Sequence, residues 1–261
     1  MIILFTFILG LCIGSFLLVI TDRFESNESF LHGRSHCDQC KHVLGPLDLI
    51  PVISFLSTKG RCRYCKVKLS LYYPFFELLT GCLFALTIFV SSSTYYGVSI
   101  DQLLHFIFSL YIVSSLILLF FIDLRYGIIP FKIIFPAILI TFLSTVFSLP
   151  SALSTTLYAA LGACLFFFLL FLFTKGRGMG FGDVVYAFFM GLLLGYPGVI
   201  VGLYIAFLSG AIISLILIWE KKKKLKGSTI PFGPFLVLGT YIAWLWGDMI
   251  VSWVLNFLYS I

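Results

Sequence analysis

The chain has 261 residues and a formal net charge of +6; 61% of its residues are hydrophobic and only 11% are charged. A soluble domain is usually about 45–50% apolar and about 25% charged, so the composition excludes a soluble protein of this length. Several apolar runs approach or reach the roughly 20 residues that a helix needs to cross a bilayer. The sequence therefore predicts an all-α polytopic membrane protein.

Eight transmembrane helices are predicted, at about residues 1–21, 73–91, 102–122, 128–148, 153–173, 183–197, 198–219 and 233–256. The apolar segment from Asp183 to Trp219 is nearly continuous. As one helix it would be about 55 Å long, against a hydrocarbon core of about 30 Å. The sequence GYPG at 195–198 predicts a turn inside it, so two short spans or a re-entrant hairpin fit this segment.

The basic residues predict the orientation of these helices. All 17 lysines and arginines fall within residues 22–68, 125–132, 175–177 and 221–226. Positive charge collects in the cytoplasmic loops of membrane proteins, so these four segments are expected in the cytoplasm and both termini outside. No basic residue precedes Arg23, which is the reverse of a secretory signal peptide, so the first span is expected to be retained.

Three parts are expected along the chain: the first span at 1–21, a cytoplasmic loop domain at 22–72, and a membrane-embedded remainder at 73–261. The loop domain contains the sequences CDQC and CRYC. Two such pairs can place four thiolates around a structural zinc ion. The alternatives are an iron site with the same sulfurs, or disulfides, which a reducing cytoplasm disfavours. The ligands of the predicted site are Cys37, Cys40, Cys62 and Cys65.

Acidic residues are rare in the predicted spans and number only four: Glu77, Asp123, Asp183 and Asp248. Asp123 closes the third span and Asp183 opens the sixth, both at the cytoplasmic end and beside a glycine-containing turn. Ionisable groups at membrane depth usually carry function. Two neighbouring carboxylates can share a proton, so that one activates water and the other protonates a departing amine. The alternative is that each aspartate caps a helix or pairs with Arg125 or Arg177.

Three glycines precede the second aspartate: Gly178, Gly180 and Gly182. Without Cβ atoms they allow a substrate backbone to approach closely, and they allow the chain to bend into the site. A capping aspartate needs no such clearance. The glycines therefore favour a catalytic interpretation of Asp183, with a substrate lying along residues 178–182.

Several blocks of sequence occur in a fixed order: GSFLLVITDRF at 14–24, SHCDQCKHVLGPLDLIPVISFL at 35–56, then GRCRYC and YPFFELLTG, DLRYGIIP at 123–130, GMGFGDVV at 178–185 and IPFGPFLVLG at 230–239. In this order they resemble the prepilin peptidases. These are the type IV leader peptidase family of membrane aspartic proteases, which includes competence-related Gram-positive members. The resemblance runs almost end to end.

The resemblance implies a bacterial plasma-membrane enzyme that cuts the short basic leader from pilin-like precursors at the cytoplasmic face. Many such enzymes also methylate the new N-terminus with S-adenosylmethionine. The resemblance implies Asp123 and Asp183 as the catalytic pair and the four cysteines as zinc ligands. Membrane lipid and prepilins are the expected partners, and nucleic acid is not. One departure is Val185, where the family commonly has a lysine, so substrate preference is not predicted.

Glu77 is assigned a speculative role in methyl transfer, because it follows the aromatic run YYPFF at 72–76 on the cytoplasmic side. There it would help position the new amine. The alternative is an acid at a helix start, stabilised by the helix dipole.

Three other functions fit parts of the pattern. A zinc-bearing transporter would place carboxylates near the bilayer midplane on broken helices. A non-catalytic pilus assembly protein would tolerate Asn at both aspartate positions. Another protease with a glycine-x-glycine-aspartate motif, such as the presenilin-like group, would not be expected to carry the four-cysteine loop.

Overall fold

The computed structural model describes residues 1–24, 35–37, 39–91, 99–148, 150–176, 178–219 and 231–259. The basic segment 221–226, Arg177 and part of the loop domain lie outside these ranges. The chain divides into two compact units, Met1–Ser114 and Ser115–Ile261. The boundary between them falls within one helix. The sequence predicts different boundaries, after residues 21 and 72, which separate the cytoplasmic loop domain from the membrane spans. That division stays a prediction.

Within the described ranges the chain forms helices and no strand. The described residues form eight α-helices and two short 3-10 turns, at Pro46–Asp48 and Pro150–Ala152. The helices are α1 (Ile2–Asp22), α2 (Ile53–Ser57), α3 (Tyr72–Val90), α4 (Ile100–Tyr126), α5 (Phe131–Ser148), α6 (Leu153–Thr174), α7 (Phe181–Trp219) and α8 (Gly233–Tyr259). All except α2 are long and apolar enough to cross a membrane. The predicted all-α polytopic fold is confirmed.

Helix α7 is interrupted where the sequence predicts a turn. Gly195 has φ 63° and ψ −174°, and Tyr196 has φ −93° and ψ 136°, so neither residue is helical. The positive φ requires glycine, and Pro197 has no N–H to continue the helical hydrogen bonds. The long apolar segment is therefore two helical pieces joined at residues 195–196.

The first unit is built on a close pairing of α1 with α3. A Cβ atom on Gly10 of α1 would lie only 2.7 Å from the Cα of Gly81 on α3, and one on Gly14 would lie 2.9 Å from the Thr80 side chain. Small residues at such a contact let two membrane helices approach backbone to backbone, which strengthens dispersion packing where no hydrophobic effect operates. This pairing places the start of α3 beside the polar loop.

The second unit is organised around α7, which packs against α5, α6 and α8. Tyr186 on α7 donates a hydrogen bond of 3.0 Å to the Thr240 hydroxyl on α8, and both side chains are fully buried. The Thr240 hydroxyl in turn donates to the Leu236 carbonyl at 2.7 Å. Both buried hydroxyls are thus satisfied, as apolar surroundings require. The bond fixes the register of α7 on α8.

Candidate active site and metal centre

Asp123 lies in the last turn of α4 and is 4% exposed. Its carbonyl accepts a hydrogen bond of 2.8 Å from Gly127. Gly127 has φ 67°, the left-handed conformation that commonly ends a helix and that glycine adopts without steric cost. This turn directs the following segment back across the unit, where Ile129 becomes buried.

Asp183 is the third residue of α7 and is 7% exposed. Its Oδ2 accepts a hydrogen bond of 3.3 Å from the Gly180 N–H, and its own N–H donates to the Gly180 carbonyl at 3.1 Å. A carboxylate that reaches back to the residue before a helix is half of a capping box. The capping interpretation is therefore correct as far as it goes, but this contact uses only one carboxylate oxygen.

Asp123 and Asp183 are both buried in the second unit, and the charge of Asp123 acts on the Asp183 carboxylate. The Oδ2 atom of Asp123 is buried and accepts no hydrogen bond from any described residue. A buried carboxylate oxygen without a donor is costly. The Asp123 Oδ2 is therefore an open acceptor position for a substrate or water.

The three glycines before Asp183 have different surroundings. A Cβ on Gly182 would lie 2.9 Å from the Ile129 Cβ. The absence of a side chain at position 182 therefore makes room for the segment that follows α4. A Cβ on Gly178 would lie 3.2 Å from the Thr174 side chain. Gly180 has open space, with its nearest neighbour 3.9 Å away. The substrate-clearance role stays a prediction, and Gly180 is the position with room for it.

The residues around the aspartates include one that the sequence analysis left without a role. Gly233, the first residue of α8, lies against the Asp123 carboxylate, and a Cβ atom on it would lie 2.5 Å from the Asp123 Oδ2. Val185, at the position where a lysine is common, is half-buried on α7. Arg125 is exposed, and its guanidinium carbon lies 5.4 Å from the centre of the Tyr126 ring. In the sequence, Gly233 stands out only as part of the block IPFGPFLVLG at 230–239, which carries the family resemblance but assigns this glycine no role.

In the first unit, the four predicted cysteine ligands converge. Their Sγ atoms all lie within 4.8 Å of one another, and those of Cys37 and Cys65 are 3.8 Å apart. Four thiolates bound to zinc at about 2.3 Å in a tetrahedron would be separated by roughly 3.8 Å. All the cysteines are free thiols, so the disulfide alternative is not observed. These side chains fit a four-coordinate metal ion.

The two cysteine pairs share one turn geometry. The N–H of Lys41 donates to the Cys37 carbonyl at 2.8 Å, and the N–H of Lys66 donates to the Cys62 carbonyl at 3.0 Å. Both lysines have left-handed φ angles, 55° and 61° respectively. An isolated antiparallel bridge flanks each turn. The same turn is therefore present in both cysteine pairs. A metal site formed by two Cys-x-x-Cys turns requires this repetition.

Backbone amides inside the second turn favour the ionised form of its first cysteine. The N–H of Cys65 is the main cause, and together with the N–H of Tyr64 it lowers the pKa of the Cys62 thiol to about 7, although burial acts in the opposite direction. A metal-binding cysteine must lose its proton. The backbone of this turn therefore favours at Cys62 the thiolate that a metal ion requires.

Asp48 connects the loop to the second cysteine turn. Its carboxylate accepts from Arg63 at 2.7 Å, from the Tyr64 hydroxyl at 3.0 Å and from the Gly45 N–H at 3.0 Å. Partial burial would raise its pKa, but the Gly45, Tyr64 and Arg63 contacts together hold the pKa of Asp48 below its ordinary value. Asp48 therefore helps to order the loop between the two cysteine pairs.

Glu77 lies on α3 beyond the first helical turn, so a helix-start dipole does not explain it. Its Oε2 accepts a hydrogen bond of 2.8 Å from the Val52 N–H, its carboxylate also interacts with the Ser15 side chain, and it is 8% exposed. Val52 has φ 60°, which is unfavourable for a β-branched residue. Glu77 thus anchors a strained position of the loop to α1 and α3.

Comparison with known proteins assigns the family. The Bacterial Peptidase A24 N-terminal domain matches residues 8–91, and the Type IV leader peptidase family matches residues 110–215. A Bacillus subtilis (strain 168) protein named Prepilin leader peptidase/N-methyltransferase is 31% identical over 253 residues, which is 96% of each chain. The chain belongs to the type IV leader peptidase family. The predicted family resemblance is confirmed.

Other proteins named Prepilin leader peptidase/N-methyltransferase are also similar to this chain. That of Legionella pneumophila is 34% identical over 228 residues, or 86% of this chain and 76% of the relative. That of Pseudomonas aeruginosa is 27% identical over 282 residues, or 98% and 94%. No solved structure matches the chain. The four cysteines and both aspartates lie within the two family-matched ranges, whereas Gly233 lies outside them.

Proposed function

We propose that this protein is a membrane aspartic endopeptidase that removes the leader of pilin-like precursors and methylates the new N-terminus. The observation that carries the proposal is the burial of Asp123 and Asp183 within one unit of a chain of the type IV leader peptidase family. Both aspartates lie at helix ends rather than in the middle of broken helices, which favours a protease over a transporter.

The hydrolysis needs one proton shared by Asp123 and Asp183. The ionised carboxylate takes a proton from water as the water oxygen attacks the carbonyl carbon of the scissile peptide bond. When the tetrahedral intermediate breaks down, the carbon–nitrogen bond breaks and the protonated carboxyl gives its proton to the departing amine. The buried Oδ2 of Asp123, which lacks a donor among the described residues, is a free acceptor for this water.

The location follows from the same pattern of basic segments. We place the N-terminus outside the bacterial plasma membrane, and the ends of α4 and α7 that carry the aspartates at the cytoplasmic face. Arg125 and Lys132 flank the first aspartate and Lys175 precedes the second, as the preference of basic residues for the cytoplasmic side requires. A basic leader translated in the cytoplasm would reach the aspartates from that side.

The cysteine cluster is proposed to hold one structural zinc ion. Cys37, Cys40, Cys62 and Cys65 would close its coordination shell and leave no open position for substrate. The metal would stabilise a loop that has little hydrophobic core of its own. The loop would thereby present a folded cytoplasmic surface at the start of α3.

Methyl transfer is the second activity, and S-adenosylmethionine when bound supplies the methyl group. Glu77→Gln is expected to leave cleavage largely intact and to reduce methylation, because the two reactions use different residues. Glutamine keeps an oxygen that can accept the Val52 N–H, so the variant removes charge while keeping the loop contact. The measurement is the fraction of cleaved product that carries the methyl group. Equal loss of both activities, or normal methylation, would show that Glu77 has no separate role.

The proposed function is tested with purified protein in detergent, a pilin-like precursor and S-adenosylmethionine. Intact mass of the product reports leader loss and the added methyl group together. We expect a product shortened by the leader and heavier by one methyl group. A precursor that stays unchanged under conditions in which a known prepilin peptidase cleaves it would contradict the peptidase proposal. Cleavage without methylation would remove only the second activity.

A further inference from the structure

The start of α8 is in direct contact with one of the proposed catalytic aspartates. The backbone N–H of Gly233 interacts with the Asp123 carboxylate. A Cβ atom on Gly233 would lie 2.5 Å from Oδ2 and 2.8 Å from Cγ of Asp123. Real Cβ atoms do not approach other atoms so closely, so any side chain at this position must displace the carboxylate or the helix. Position 233 therefore admits only glycine while Asp123 stays where it is.

Two sets of contacts fix the position of this helix start. Phe232, the residue before Gly233, packs its ring against those of Phe207 and Phe167, with centroids 5.2 Å and 6.3 Å away. Two turns further along α8, Thr240 receives the buried hydrogen bond from Tyr186. Tyr186 lies one turn after Asp183 on α7. The same helix pair that carries Asp183 therefore also positions the Gly233 N–H.

The location of the N–H matters because Asp123 sits at an unfavourable place for a charge. It lies in the last turn of α4, where the helix dipole is negative. The N-terminus of α8 supplies a donor and the positive end of another dipole. This helix start therefore offers the Asp123 carboxylate a favourable electrostatic partner.

We propose that Gly233 is a positioning residue of the active site: its N–H orients the Asp123 carboxylate for proton exchange, and its lack of a side chain leaves the carboxylate room. The inference rests on the proposed aspartic mechanism. It assigns α8, beyond the family-matched residues, a part in catalysis. The alternative is that Gly233 serves packing alone, as Gly239 does where α8 crosses Gly202.

The test compares Gly233→Ala with Gly247→Ala in purified full-length protein. A Cβ on Gly247 would meet nothing closer than 3.9 Å, so this change on the same helix is a matched control. Displacement of a reacting group by about 1 Å costs about 100-fold in rate. We expect kcat for leader removal to fall about 100-fold in Gly233→Ala, with KM and the melting temperature near wild type. Gly247→Ala should match wild type in all three.

The outcomes separate positioning from packing. Wild-type kcat in Gly233→Ala would overturn the inference, and so would a loss of activity that merely follows a loss of folded protein. If Gly233→Ala does not fold, Phe232→Leu tests the same claim by loosening the helix start without reaching Asp123; wild-type kcat there would overturn it. If Asp123→Asn is inactive while Gly233→Ala is normal, the inference about Gly233 fails but the proposed aspartic mechanism stands. If Asp123→Asn is itself active, the proposed mechanism has failed.

Discussion

Asparagine at position 123 or at position 183 is expected to abolish leader removal. Asn keeps the size of the side chain and its capacity for hydrogen bonds but cannot exchange a proton. The remaining carboxyl cannot act as acid and base in the same turnover. General acid–base groups contribute about 10²–10⁴-fold each, so the rate of leader removal by each purified variant should fall by at least about 100-fold.

The control for these variants is Asp248→Asn. Asp248 lies on α8 and is exposed, so the same chemical change there should leave the rate unchanged. Thermal unfolding of all three variants establishes that loss of activity is not loss of fold. Normal leader removal by Asp123→Asn or by Asp183→Asn would rule out the aspartic mechanism.

Replacing Cys37 or Cys62 by serine is expected to remove most of the bound metal. Wild-type protein should contain about one zinc ion per chain, and elemental analysis distinguishes zinc from iron. Metal binding contributes about 10–16 kcal/mol to small zinc-finger peptides, so its loss should unfold the loop. We expect limited proteolysis to cut within residues 35–70 in these variants while the membrane helices stay intact.

Two other cysteines provide matched controls for the metal. Cys12 on α1 and Cys82 on α3 are exposed free thiols outside the cluster, and their serine variants should keep full metal content and protease resistance. A wild-type preparation that lacks metal and yet resists proteolysis in the loop would contradict the zinc proposal. Equal metal loss from a Cys12→Ser variant would show that the four-sulfur cluster is not the binding site.

Local chemistry in the sequence predicted most of the helical framework. The spans follow from apolar length alone, and the break in α7 follows from Gly195 and Pro197, whose backbone preferences are local. The four cysteines were predicted to converge because the spacing within each pair favours one turn, which the structure repeats at Lys41 and Lys66. These features can be predicted because residues adjacent in sequence determine the backbone conformation of a helix break or of a cysteine turn.

The sequence predicts both Asp123 and Asp183 at span ends, and the structure places them at helix ends; their catalytic pairing stays a prediction. The contacts of Glu77 and Gly233 were not predicted. Glu77 accepts a hydrogen bond from the N–H of Val52, and Gly233 lies against Asp123; each pair is distant in sequence. The sequence shows the chemistry of each side chain. It does not show which group a backbone amide contacts, because that depends on the fold. Gly182 likewise packs against Ile129, which no local pattern indicates.

The most direct measurement of the central claim is the intact mass of a pilin-like precursor co-expressed with this protein. The comparison is the double variant Asp123→Asn with Asp183→Asn, expressed at the same level in the same host. The wild-type protein should yield a precursor that has lost its basic leader, and the double variant should yield a full-length precursor. Leader removal by the double variant, or a full-length precursor with the wild-type protein, would contradict the account.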